Sequence, residues 1–259
     1  MSVKSVETIA AIGCRGRDID DPAEVYHEAS RYYAHTLGLR SGEPRLDPSL
    51  VRSALADTPA VGTIPLPEPA GAEVPLATAL KSRRSLRPSG HALALAELSA
   101  LLHAAYGLTD PENTAHQRRS VPSAGGLYPL DWYFVSTKVE SLPAGVYHYE
   151  PVAHRLTAVR TGDVSSVVAR SVLTPGLASG VTGTFIVTAS FERSRRKYGL
   201  RAYRFVLMEA GHSMQNLLLM ACCLGLHATP VGGYLDGVLD DLLDIDGVDE
   251  ATLYVAVVG

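Results

Sequence analysis

The stretch from Tyr203 to Leu226 is apolar on nearly every face of a helix, and this restricts the possible folds more than any other feature of the chain. Such a helix must be covered all round, by its own domain, by a second subunit or by lipid. Glu209, His212, Gln215 and Asn216 fall inside the run and argue against lipid, where each would be costly. A buried helix is expected, with a homodimer as its natural second cover.

The rest of the chain supplies elements to surround it. Trp132 to Val135, Val146 to Tyr149, Arg155 to Val159, Thr184 to Ala189 and Ala251 to Val258 read as strands that can share one sheet. Leu95, Leu98, Leu101, Leu102 and Ala105 recur at helical spacing, with Gly107 where a helix would stop and Pro88-Ser89-Gly90 as the break before it. Upstream, Pro22 to Leu39 reads as a helix and the proline-rich Thr58 to Pro75 as an extended connector. The expected organisation is an extension over 1–75 and one domain over 76–259, within the reach of a single core.

Several function classes recede at this point. A net charge of −4 recommends neither nucleic acid nor an anionic membrane as a partner. Nine histidines show no zinc-type spacing, Gly13-Cys14-Arg15-Gly16 lacks the full dinucleotide-binding pattern, and Ser123 is not in a Gly-x-Ser-x-Gly elbow. His148 and His212 are most simply packing or hydrogen-bonding residues. Three cysteines, Cys14 and the adjacent Cys222 and Cys223, suit a reducing compartment, and the N-terminus has no signal-peptide pattern, so a cytoplasmic setting is expected.

Two motifs carry chemistry. Pro122-Ser123-Ala124-Gly125-Gly126-Leu127-Tyr128-Pro129 is a small-residue loop whose backbone can approach a flat ring. Arg83-Arg84-Ser85-Leu86-Arg87 offers guanidinium forks that match phosphate oxygens. Together they suggest an FMN site. A third segment, Arg193 to Arg201, crowds cations around Lys197-Tyr198. Like charge, and burial beside a ring, would disfavour the protonated ammonium and suit Lys197 to a general base. The same run also reads as a solvated helix end or a patch for an acidic peptide leader. Thr229-Pro230-Val231-Gly232-Gly233 by itself reads as a turn after a helix stop at Gly225.

In this order, from about Leu76 onward, the Arg-Arg-Ser-x-Arg entry, Pro-Ser-Ala-Gly-Gly-Leu-Tyr-Pro, Gly-Val-Tyr-His-Tyr at 145–149, Lys197-Tyr198-Gly199 and Gly232-Gly233 resemble the FMN-dependent nitroreductase superfamily, and within it the SagB-type azoline dehydrogenases. The resemblance implies an α+β fold, a mostly antiparallel sheet flanked by helices, built as a homodimer with FMN in the subunit cleft. It implies Lys197 and Tyr198 as catalytic residues. Arg83, Arg84, Ser85 and Arg87 would meet the phosphate and ribityl chain, with Arg119 a further candidate at the phosphate. Pro122, Ser123, Ala124 and Gly125, with Pro230, Val231, Gly232 and Gly233, would lie near the ring, and Gln215 and Asn216 are lesser candidates. The implied activity is oxidation of thiazoline or oxazoline rings in a peptide natural product, with a cyclodehydratase or assembly-line enzyme as partner. The alternatives are an NAD(P)H-dependent nitro or quinone reductase and a catalytically idle flavin-binding scaffold subunit. No metal is implied.

Overall fold

A computed structural model of the chain describes Pro22, Val25, Tyr26 and residues 62–111 and 117–259. Seven strands form one sheet: β1 Thr63–Pro65, β2 Leu130–Ser136, β3 Gly145–Glu150, β4 Arg155–Thr161, β5 Gly183–Ser190, β6 Ala228–Val231 and β7 Glu250–Val258. Their spatial order is β1-β4-β3-β2-β5-β7-β6, and every pairing is antiparallel. The helices are α1 Leu76–Ser82, α2 Leu95–Tyr106, α3 Ser165–Ser171, α4 Phe191–Tyr198, α5 Ala202–Cys223 and α6 Asp236–Leu243. The expected α+β architecture, an antiparallel sheet flanked by helices, is what forms.

Alternation along β2 explains the layering. Trp132 and Phe134 point to one face and join a core with α2 and α5, while Tyr133 and Val135 point to the other and pack with α3 and α6. Both faces are covered, so all of β2 is buried, as its nearly unbroken apolar run requires.

Each sequence-read strand is present, extended by a residue or two, and α2 matches its leucine spacing. Glu97 closes the start of α2 by accepting the Ala94 N–H at 2.8 Å. Gly107 ends it, but with φ −69 rather than a left-handed turn. Glycine is needed there because a Cβ would collide with the His103 ring.

Several elements escape the periodicity reading, the short helix α1 among them. Part of the proline-rich connector becomes β1, which pairs with β4 at the sheet edge, a place that accepts Pro65. β6 tolerates Pro230 at the opposite edge, and α3 and α6 are too short to show a clear stripe. The expected 22–39 helix lies outside the described residues except for Pro22, Val25 and Tyr26, which are helical. Cys14 also lies outside them, and Cys222 and Cys223 are free thiols.

Among the described residues, the central helix α5 keeps one face open. Val206, Ala210, Met214, Leu217 and Ala221 are buried against the sheet side, whereas Leu207 and Met208 are 44% and 51% exposed. His212 and Gln215 share that open face, so His212 is solvent-facing here rather than packed. Among the described residues no helix is long and apolar enough to cross a membrane.

Candidate functional site

The small-residue loop folds as a tight 3-10 turn over Ala124–Gly126, with Gly125 and Gly126 at φ 65 and 66. Pro122, Gly125 and Gly126 are exposed. A Cβ built on Gly125 would lie 2.6 Å from Tyr198 Oη and 3.0 Å from Lys197 Nζ. The fold therefore sets both residues of the Lys-Tyr pair against this one glycine. Tyr198 is held edge-on to Phe205, with ring centroids 5.0 Å apart, and Lys197 is exposed. Among the described residues, none supplies the burial expected for Lys197.

The loop is fixed from beneath by residues outside the motif. Tyr106 Oη donates to Glu209 Oε1 at 2.6 Å, and Leu130 N–H donates to Tyr106 Oη at 3.2 Å. Ser123 bonds Glu209 as well, and its Oγ accepts the Tyr128 N–H at 2.9 Å. Burial pushes the Glu209 carboxyl up despite those hydrogen bonds and the Arg119 charge. Burial likewise drives the Tyr106 phenol well up. The Arg119 guanidinium lies 4.2 Å from the Tyr106 ring centroid and 4.9 Å from that of Tyr128. Arg119, a candidate for the phosphate, sits instead with the aromatic support of this loop.

A second buried network joins α4 to the sheet. Arg193, 9% exposed, donates to Asp131 Oδ2 at 2.9 Å and to Tyr128 O at 3.3 Å. His148 Nε2 lies 3.1 Å from Asp131 Oδ1, the hydrogen-bonding role expected of it. Burial alone would raise the Asp131 carboxyl, but Arg193 and His148 overcome it and hold the group well below the usual carboxylate range.

The phosphate candidates lie elsewhere. Leu86 N–H donates to Ala228 O, His227 bonds Arg87 O and Ser89 N–H donates to Gly259 O. This places the arginine segment at the end of the sheet where Ala228, Val258 and Gly183 meet. The small-residue loop enters at the opposite end, where Leu130 pairs Ala189 and Ser190 N–H donates to Pro129 O. The eight residues of β5 run between the two ends, about 25 Å at about 3.3 Å per residue.

Ser85, Arg84 and Arg87 are exposed and Arg83 is half-buried, but Arg84 Nη1 donates to Lys81 O and Arg83 O, each at 2.9 Å. Asn216 Nδ2 donates to Ser120 O at 3.1 Å, just before the loop, while Gln215 faces solvent. Pro230 and Val231 belong to β6, and exposed Gly232 and Gly233 follow it, with Gly233 O accepting the Leu173 N–H. One chain therefore unites Lys197, Tyr198, Ser123, Ala124 and Gly125, and leaves the arginines apart from them.

Sequence reading missed Tyr106, Tyr128, Arg193 and Asp131 as structural partners of the site. Glu209 gave a signal, as a lone acid in an apolar helix. Among the described residues no group of acidic, His and Cys side chains could hold a metal ion.

An antiparallel α+β core with a glycine turn facing a Lys-Tyr pair defines the class of protein. The chain belongs to the nitroreductase family, whose model matches residues 80–259. A Methanocaldococcus jannaschii protein named as a nitroreductase is 37% identical over 174 residues, 67% of this chain and 86% of that one. The trifolitoxin-processing protein TfxB of Rhizobium leguminosarum bv. trifolii is 32% identical over 66% of this chain, and the microcin B17-processing protein McbC of Escherichia coli 33% identical over 64%. The chain spans 48% of TfxB and 62% of McbC. Among solved structures, a Ralstonia eutropha nitroreductase superposes with a TM-score of 0.64 at 28% identity, covering 78% of this chain and 92% of that one. A chain of the E. coli microcin synthetase McbBCD complex shares the fold, with a TM-score of 0.61 at 23% identity, covering 100% of this chain and 94% of that one.

Proposed function

We propose that this protein is an FMN-dependent dehydrogenase that oxidises thiazoline or oxazoline rings to thiazoles or oxazoles in a peptide natural product. The observation that carries this reading is the convergence of Lys197 Nζ and Tyr198 Oη on exposed Gly125. Relatives named for processing trifolitoxin and microcin B17 support a peptide as substrate.

The residues present fit FMN by their chemistry. Exposed guanidinium and hydroxyl donors at Ser85 and Arg87, with Arg83 beside them, suit a phosphate. Gly126 and Gly232 have no heavy atom within 4 Å of a built Cβ, so the backbone there is open to a flat ring. Arg83, Ser85 and Arg87 would hold the phosphate and ribityl chain, and Pro122 to Gly125 with Gly232 and Gly233 the ring, the two sets contributed by different copies of a homodimer. When bound, FMN supplies a hydride acceptor. Lys197 Nζ takes the proton from the azoline ring, and Tyr198 Oη, fixed by Phe205, orients the ring over Gly125. A side chain at Gly125 would displace Tyr198 Oη and Lys197 Nζ from this position.

Lys197→Ala and Tyr198→Phe test this. Each should lower azoline oxidation by about 10²–10⁴-fold, measured as loss of two hydrogens per ring by mass spectrometry, with flavin absorbance retained. Undiminished oxidation in both variants refutes the assignment. The 37% identical relative named as a nitroreductase favours one rival, an NAD(P)H-dependent reductase. That rival predicts turnover of a nitroarene with NADPH that is indifferent to Lys197→Ala. A scaffold subunit would turn over neither substrate.

A further inference from the structure

Tyr128 closes the small-residue loop in a conformation that a bulky residue seldom adopts, at φ 46. Such a residue persists only where its surroundings over-determine it. Here every polar group of Tyr128 is engaged. Its N–H donates to Ser123 Oγ, its Oη accepts the Arg119 N–H, and its carbonyl accepts from Arg193. Arg193 lies on α4 one helical turn before Lys197, and the same guanidinium is paired with Asp131 at the start of β2.

We infer that Arg193 is a positioning residue, whose fork on Tyr128 O and Asp131 holds the Gly125 loop and the Lys197-Tyr198 helix in one rigid frame. The backbone bond from Ser190 N–H to Pro129 O fastens only the start of α4. Arg193 fastens its middle, one helical turn before Lys197. A lysine at 193 would keep the charge but lose the planar fork that spans two acceptors. Stability alone does not require the pair, because a buried ion pair is often replaced by neutral groups at little cost. Its consequence for turnover rests on the azoline-oxidising reading, whereas its consequence for the frame does not.

The test uses the 259-residue chain loaded with FMN, as wild type, Arg193→Lys and the double variant Asp131→Asn/Arg193→Gln, which removes both charges of the pair together. With an azoline peptide, kcat should fall about tenfold in both variants, while KM and flavin content stay within about twofold. Hydrogen–deuterium exchange should quicken by about tenfold in both 122–129 and α4, with β2 and β5 still protected. Unchanged kcat with unchanged exchange, or loosening of α4 alone, overturns the inference. So does a double variant that fails to fold or to hold flavin, since Arg193 would then be a fold element. If wild type does not oxidise azolines, the functional reading fails, and the exchange of the two segments decides the inference by itself.

Discussion

Gly125 sits at φ 65 with the side chains of Tyr198 and Lys197 crowding the place where its Cβ would be. Gly125→Ala should cost about 1–2 kcal/mol for the left-handed backbone alone and also displace Tyr198 Oη. The expected outcome is a modest loss of stability in urea with a much larger loss of turnover, and equal losses in both would speak against a role for the turn. Glu209 allows a pH test at the same scale. Burial raises its carboxyl in the folded state, so the fold binds this proton more tightly than the unfolded chain does, where Glu titrates near about 4.3. Its favourable contribution is complete below that pH and lost as pH rises through the folded value. Glu209→Gln keeps an acceptor for Tyr106 and removes the titration. Wild type should therefore lose stability relative to the variant as pH rises from about 4.3 through the raised folded value, and parallel stability curves would contradict this.

At the scale of elements, α1 and α4 show how helical geometry sorts residues that look alike in sequence. Arg83, Arg84 and Arg87 read as one phosphate cluster, yet Arg84 turns back to cap the carbonyls at the end of α1. Arg84→Ala should weaken FMN binding less than Arg83→Ala or Arg87→Ala, as judged by flavin titration. The basic run on α4 is divided in the same way. Arg193 goes inward to Asp131, Arg196 pairs with Glu192 at 2.9 Å on the surface, and Lys197 reaches Gly125. Sequence shows that these cations are close together, but only the helix and its packing decide which one is buried.

Across the whole molecule, the arginines and the Lys-Tyr pair occupy opposite ends of one sheet, and Leu207 and Met208 leave a face of α5 open. A cofactor gripped by both sets needs two chains. Mixing an Arg87→Ala chain with a Lys197→Ala chain should then restore activity, because each mixed dimer would have one site carrying both substitutions and one carrying neither. Mixtures as inactive as either parent would show that each site is built from a single chain.

Strand and helix periodicity, the glycine-rich loop and the Lys-Tyr dipeptide were legible because each is a local pattern that needs no distant partner for its meaning. The α+β class came from the family resemblance that the ordered motifs carry; the patterns themselves showed only strands and helices interleaved along the chain. What the sequence left open was decided by contacts between residues far apart in the chain. Tyr106 reaches Glu209, Arg193 finds Tyr128 and Asp131, and the proline connector becomes an edge strand against β4. The separation of the two motif clusters was likewise invisible, since their order along the chain carries no information about which end of a sheet each will occupy. Only the antiparallel register of the folded strands fixes that.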